Sequence, residues 1–168
     1  MARLPLATRM LMRLDVWSVR LTGASFFMWL YARRSGLARD PAFKSRQAPA
    51  LVLTTRGRSS GRPRAVVLPC FSFDGQTFVV GSKGGASEDP DWVHNLRTTP
   101  TALIYMNRET CTVLARFADK DERARLWPQL IALAPTYDGY QRGTTREIPL
   151  VIIGASEAAT PAAGMNHP

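Results

Sequence analysis

Four arginines, two glycines, four hydroxyl side chains and no acid fall within the eleven residues Thr54-Thr55-Arg56-Gly57-Arg58-Ser59-Ser60-Gly61-Arg62-Pro63-Arg64. Residues of these types, so closely spaced, suit the reception of negative charge. Gly57 and Gly61 let the backbone adopt positive φ and approach a bound group. Successive N–H groups can then form an anion-binding concavity, and arginine forks add bidentate contacts to phosphate or carboxylate. A solvated basic turn has the same composition, so a second motif is needed. Gly81-Ser82-Lys83-Gly84-Gly85-Ala86 supplies one, with Asp89-Pro90-Asp91-Trp92-Val93-His94-Asn95-Leu96 after it. Asp89 reads as a helix N-cap and Pro90 as the first helical residue. Small residues, a lysine and a helix start again describe a place for an anionic or planar ligand.

The elements that would position both stations are strands. Ala50 to Thr55, Ala65 to Phe73, Thr77 to Gly81, Thr101 to Met106, Thr110 to Ala118 and Pro149 to Gly154 read as strands, with turns at Asp74-Gly75 and Asn107-Arg108. Pro63 interrupts any ladder beside the first turn. Helices are expected at Asp91 to Arg97 and at Asp121 to Leu133, where Ala124, Trp127, Leu130 and Ile131 share a face. Six short strands with two or three helices suit a small closed antiparallel barrel, because closure removes exposed edges.

The chain has 168 residues, enough for one domain with a real core, and its 45% hydrophobic and 21% charged content is that of a globular protein. The organisation expected is an amphipathic helical segment over 1–46, a barrel over 47–155 and a loose tail over 156–168. The net charge of +9 is uneven, with nine basic and two acidic residues before position 47 and six of each from Cys111 onward. An acidic partner near the first half follows: a phosphorylated cofactor, an anionic membrane or nucleic acid. Cys70 and Cys111 sit in apolar strand patterns and read as buried free thiols in a reducing cytosol. His94 and His167 are the only histidines, so no metal-ligand spacing exists.

Residues 4–34 are ambiguous. Leu21 to Ala32 runs for twelve residues without charge, too short to span a bilayer, which takes about 20. Two readings stay open: a helix packed on the domain, or one at the inner face of the cell membrane with Phe26, Phe27, Trp29 and Tyr31 in the interface. The flanking Arg33, Arg34 and Arg39 favour an anionic leaflet.

No catalytic triad, paired carboxylates or metal constellation can be assembled around the two stations. A protein with an anion cradle and no acid, base or nucleophile set lets a bound cofactor do the chemistry. Hydride transfer asks such a protein for alignment and a polar partner for developing charge.

The two stations, then Trp92-Val93-His94-Asn95-Leu96, Asp121-Glu122-Arg123-Ala124-Arg125-Leu126-Trp127, Tyr137-Asp138-Gly139-Tyr140 and Arg146-Glu147-Ile148-Pro149, resemble in that order the deazaflavin-dependent nitroreductase family. These are actinobacterial oxidoreductases using coenzyme F420, and the likeness runs from about Ala48 to Ile153. It implies a split β-barrel of the FMN-binding type, mainly β with flanking helices, and transfer of a hydride from reduced F420 to an electron-poor acceptor. It also implies roles. Arg58, Arg62, Arg64 and Lys83 would suit the phosphodiester and glutamate tail, and Thr54, Thr55, Ser59, Ser60, Gly61 and Pro63 would also bind the cofactor. Ser82 and the backbone after it would sit beside the ring, with Trp92, Val93, His94 and Asn95 along a wall near the phosphate, and Val80, Gly81 and Asp91 would also bind the cofactor. Tyr137 would close the pocket and donate a hydrogen bond or proton, and Ser82, Tyr137 and Tyr140 are the catalytic candidates.

Ser59 stands where many members have lysine, and Leu68-Pro69-Cys70 where some carry a tyrosine implicated in substrate reduction. Quinones or activated alkenes are therefore better acceptors to expect than nitroaromatic drugs, and an N-terminal helix on a membrane would suit a lipid-soluble quinone. FMN is the competing cofactor, because the same barrel holds it elsewhere. A nucleic-acid-binding module would explain the charge, but no aromatic stacking face interleaves the basic residues. The tyrosines could equally be surface aromatics on a loop, and a homodimer is an open option.

Overall fold

Short apolar, β-branched-rich runs in the central part of the chain form six strands: β1 (Ala50–Arg56), β2 (Pro63–Phe73), β3 (Gln76–Val80), β4 (Thr101–Met106), β5 (Glu109–Phe117) and β6 (Leu150–Ala155). The computed structural model describes residues 6–22, 26 and 49–155. The expectations for Phe27, Trp29, Tyr31, Arg33, Arg34, Arg39 and the tail over 156–168 lie outside those residues. The strands run in the order β1-β2-β3-β6-β5-β4, and β4 pairs back onto β1, so the sheet closes as a barrel. Every pairing is antiparallel. Closure leaves no free edge to satisfy.

The two-residue period of the strands divides the core. Val79 and Val151 face the barrel interior with Leu51, Leu53, Ala102, Val113 and Ala115, and the helix α2 (Asp91–Thr98) adds Trp92, Val93 and Leu96. The alternate residues Phe78, Val80, Leu150 and Ile152 face outward with Phe71, where the helix α3 (Lys120–Leu133) covers them with Leu126 and Leu130. Full burial of one such leucine contributes about 2 kcal/mol. The buried face of α3 is therefore Leu126 and Leu130, one turn apart. Ala124 is exposed, and Trp127 lies half-buried under the Arg123 guanidinium, 4.2 Å from its ring centre. Asp119 and Glu122 form a capping box that starts α3.

Element ends move by one or two residues from the sequence expectation. Pro63 does not break the first hairpin: it opens β2 opposite Arg56, at a strand end where the lost N–H costs little. Both short hairpins turn on consecutive left-handed residues, Asp74 and Gly75 at φ 51° and 73°, and Asn107 and Arg108 at φ 53° and 67°. This matches the twist of the flanking strands. Cys70 is buried and its thiol is pushed up to about 11 by that burial. Cys111 is exposed, contrary to expectation, because it pairs with Ile104 only two residues from the β4–β5 turn, at the barrel's open rim. Both thiols are free.

Helix α1 (Leu6–Thr22) lies against β1 and β2. Val19 is buried, and the Tyr105 hydroxyl donates to the Arg20 carbonyl at 2.9 Å. Met10, Leu14, Trp17 and Leu21 on the same helix are exposed. Among the described residues no helix is long and apolar enough to cross a membrane.

Candidate active site

The corner between β1 and β2 is a closed turn. Gly57 N donates to the Arg62 carbonyl at 2.9 Å, and Gly61 N donates to the Gly57 carbonyl at 2.8 Å. Gly61 has the left-handed φ of 64° that was expected of both glycines. Gly57 does not; space demands it instead, since a Cβ there would lie 2.9 Å from Ser60 Oγ and 3.1 Å from the Arg62 carbonyl. Helix α2 pins the corner through Asn95, which is buried. Arg58 N donates to Asn95 Oδ1 and Asn95 Nδ2 donates to Thr55 Oγ1, both at 3.0 Å. Arg58 Nη1 also meets Asp91 Oδ1 at 3.0 Å, but the Asp91 side chain is 81% exposed, so this pair contributes well under about 1 kcal/mol. Among the described residues Arg56, Arg62, Arg64 and Lys83 make no ion pair. Their charge is free to face a ligand. A hollow of about 230 Å³ opens between this corner and strands β4 and β5, lined by Thr54, Thr55, Arg56, Gly61 and Pro63 on one side and by Thr101, Ala102, Leu103 and Thr112 on the other.

The second station begins where β3 ends. A Cβ on Gly81 would lie 2.8 Å from Pro149 Cγ and 2.9 Å from Val93 Cγ2, so β3 meets α2 at a point that only glycine fits. Lys83, Gly84 and Gly85 follow in the left-handed region, at φ 48°, 65° and 82°. One side chain gathers this loop: Arg146 donates from Nε to the Ala86 carbonyl, and from Nη2 to the carbonyls of Gly81 and Ser82. Asp89 does not cap α2, and Pro90 is not its first residue; Pro90 stands at the cap position and Asp91 begins the helix. The Asp89 carboxylate is claimed by two guanidinium groups, Arg146 Nη1 at 2.7 Å and Arg97 Nη1 at 2.6 Å. Charge-assisted bonds of this kind outweigh a neutral backbone donor.

Tyr137 and Tyr140 lie on a helix, α4 (Thr136–Arg142), and not on a loop. The backbone of α4 touches the second station, where a Cβ on Gly85 would come within 3.0 Å of the Tyr140 carbonyl. The two rings meet edge to face at 5.8 Å, and Tyr137 meets Phe71 likewise at 5.7 Å. Burial, and secondarily Tyr140, pushes the Tyr137 phenol well above its ordinary value. Its hydroxyl makes no hydrogen bond to another described residue. Arg123 extends the frame, donating to the Ile148 carbonyl and to Gln141 Oε1, and burial lowers its pKa.

Helix α2 is thus a wall common to both stations, through Asp91 and Asn95 on one side and Val93 on the other. Thr55, Val80, Gly81, Trp92, Val93 and Asn95 are buried and hold that wall together. Arg58, Ser59, Ser60, Gly61, Arg62, Pro63, Arg64 and Lys83 are exposed, and Thr54, Ser82, His94 and Tyr137 half-buried. The F420H(2)-dependent quinone reductase family model matches residues 27–154. The chain belongs to that family. An F420H(2)-dependent quinone reductase of Mycobacterium tuberculosis is 34% identical over 110 residues, covering 62% of this chain and 72% of the relative. A solved F420-H2-dependent reductase, FDR-A, superposes with a TM-score of 0.56 at 32% identity, covering 62% of this chain and 93% of its own. A further relative, solved as a domain-swapped dimer, has a TM-score of 0.57 at 27% identity and covers 77% and 99%. The protein is an oxidoreductase with the split-barrel fold, and coenzyme F420 is its cofactor.

The residues present fit that cofactor. A polyanionic tail needs cations without internal partners, and the corner and Lys83 supply four among the described residues. A planar ring needs close approach to backbone, and three successive left-handed residues beside Gly81 give a surface free of side-chain bulk except at Lys83. Arg146 is the residue to which the sequence reading gave no role of its own. No local spacing signals that an arginine reaches back about sixty residues to hold a loop's carbonyls.

Proposed function

We propose that this chain transfers a hydride from reduced F420 to a quinone or another electron-poor acceptor in the cleft bounded by the β1–β2 corner, the 81–86 loop and α4. When bound, the reduced deazaflavin supplies the hydride. Arg58, Arg62, Arg64 and Lys83 hold the phosphodiester and glutamate tail, with Thr54, Ser59 and Ser60 adding hydroxyl contacts and Gly61 and Pro63 shaping the turn. Ser82 borders the ring. His94 and Trp92 lie on the wall that Thr55, Val80, Gly81, Asp91, Val93 and Asn95 support. Tyr137 and Tyr140 close the site against water, and the Tyr137 phenol, kept protonated by burial, is the proton donor to the reduced acceptor. The observation that carries this reading is the shared α2 wall, which holds a corner carrying the unpaired Arg56, Arg62 and Arg64 beside a glycine-lined loop, together with a half-buried Tyr137 whose hydroxyl bonds no other described residue.

The test is oxidation of reduced F420 by quinones, enoates and nitroaromatics, followed in Tyr137→Phe. Loss of a general acid lowers kcat by about 100-fold or more, with the Kd for F420 changed less than about threefold. Unchanged kcat in that variant would remove Tyr137 from the chemistry. A purified protein holding FMN and indifferent to F420 would replace the cofactor.

A peripheral membrane contact through α1 and the preference for a lipid-soluble quinone belong to the same reading. The exposed Met10, Leu14, Trp17 and Leu21 support it. Flotation with anionic liposomes tests it, and recovery of all protein in the dense fraction would oppose it. The relative solved as a domain-swapped dimer supports a homodimer, which sedimentation would reveal.

A further inference from the structure

The Arg146 guanidinium uses four donor contacts. Nε reaches the Ala86 carbonyl at 2.9 Å, Nη1 reaches Asp89 Oδ1 at 2.7 Å, and Nη2 reaches the carbonyls of Gly81 at 3.1 Å and Ser82 at 2.8 Å. The two carbonyls on Nη2 belong to successive peptide groups. In a trans peptide the C=O and the N–H point in opposite directions, and no cis peptide occurs here. The Gly81 carbonyl shares its peptide with Ser82 N–H, and the Ser82 carbonyl with Lys83 N–H. Drawing both oxygens onto Arg146 turns both N–H groups to the opposite side of the loop.

Neither N–H has a partner among the described residues. Ser82 is right-handed, at φ −72° and ψ −39°, and Lys83 is left-handed at φ 48°. A right-handed residue followed by a left-handed one makes successive amides converge on an anion. A left-handed lysine is also strained, and strain persists only where surrounding contacts enforce it. Arg146, its side chain 14% exposed and paired with Asp89, provides that enforcement together with the bond from Gly85 N to the Ser82 carbonyl at 2.9 Å.

We propose that Arg146 is a positioning residue: by holding the Gly81 and Ser82 carbonyls it presents the Ser82 and Lys83 amides as a paired donor site for negative charge on the bound cofactor. This rests on the F420 reading above and goes beyond it, because it makes two backbone amides, set by a residue that need not touch ligand, part of the cofactor's recognition. Lysine at 146 keeps the charge for Asp89 but cannot serve three carbonyls in a plane.

The test is nuclear magnetic resonance on the full-length, nitrogen-15-labelled chain titrated with coenzyme F420. In the unsubstituted protein the Ser82 and Lys83 amide resonances shift on saturation, and their hydrogen exchange slows by about tenfold or more. In Arg146→Lys the Kd for F420 rises about tenfold and those shifts vanish. The Arg58 and Asn95 amides still respond there, and the KM for quinone changes less than about twofold. Saturating F420 that leaves Ser82 and Lys83 unmoved while other amides shift would overturn the proposal, even if the variant fails to fold. Arg146→Lys with unchanged Kd would also overturn it. Absence of any shift anywhere would remove the F420 reading itself, and this inference with it.

Discussion

Replacing Asn95 by alanine removes the buried side chain that ties the β1–β2 corner to α2. Two hydrogen bonds are lost, Arg58 N to Oδ1 and Nδ2 to Thr55 Oγ1, each 3.0 Å long and both made inside a site where Asn95 is 3% exposed. Each bond contributes about 1 kcal/mol, and a stranded buried donor adds about 1 kcal/mol more, so the loss is about 2–4 kcal/mol. For a chain of this size about 1 kcal/mol corresponds to about 2–4 °C, which places the fall in Tm at about 4–16 °C. The Arg58 backbone is freed at the same time, and the Kd for F420 rises about tenfold. A cycle with Thr55→Val separates the two bonds: the double variant is less destabilised than the sum of the singles by about 1 kcal/mol. The assay is thermal and urea unfolding by circular dichroism, with F420 titrated against each variant. A Tm within about 1 °C of the parent, with unchanged affinity, would refute the claim that Asn95 holds the corner.

Two further expectations concern ionisation. Glu122 is held down to about 2 from 4.5, first by the Arg116 hydrogen bond and then by the Asp119 backbone. A depressed carboxylate stabilises above its unfolded pKa and loses that contribution as pH falls, so stability drops between about pH 5 and 2. Glu122→Gln flattens that part of the urea-midpoint profile; an identical acid limb in the variant would contradict the assignment. Among thiols, Cys70 is buried and pushed up to about 11 while Cys111 is exposed. Aromatic-disulfide titration of the folded protein therefore gives one fast equivalent, abolished by Cys111→Ser, and a second only on unfolding. Two fast equivalents would mean that β2 is open to reagent.

The barrel was legible because its signals are local. Ala50 to Thr55 and Thr101 to Met106 are short apolar runs bounded by turn residues, and Asp74-Gly75 is a dipeptide suited to the left-handed turn it makes. The arginine corner was legible too, since charge without acids needs no tertiary information. What escaped depends on competition at a distance. Asp89 has the residue type and position of a cap, yet Arg97 and Arg146 take its carboxylate. Cys111 follows an apolar pattern, but its strand position places it at the barrel's rim. Tyr137 and Tyr140 belong to a seven-residue helix after Pro135, with Gly139 inside it, and composition there reads as loop. Asn95 was singled out as a wall residue through family likeness; its two bonds across the α2 contact became visible only in the fold.

Titration of F420 against the protein at low and moderate salt, followed by calorimetry, tests the central claim most directly. The account predicts saturable binding with one equivalent per chain. It should weaken as salt rises past the range where the Debye length falls below about 10 Å, and weaken further in Lys83→Ala and Arg58→Ala, most at low salt. No heat and no saturation, or an affinity indifferent to salt and to both substitutions, would contradict it.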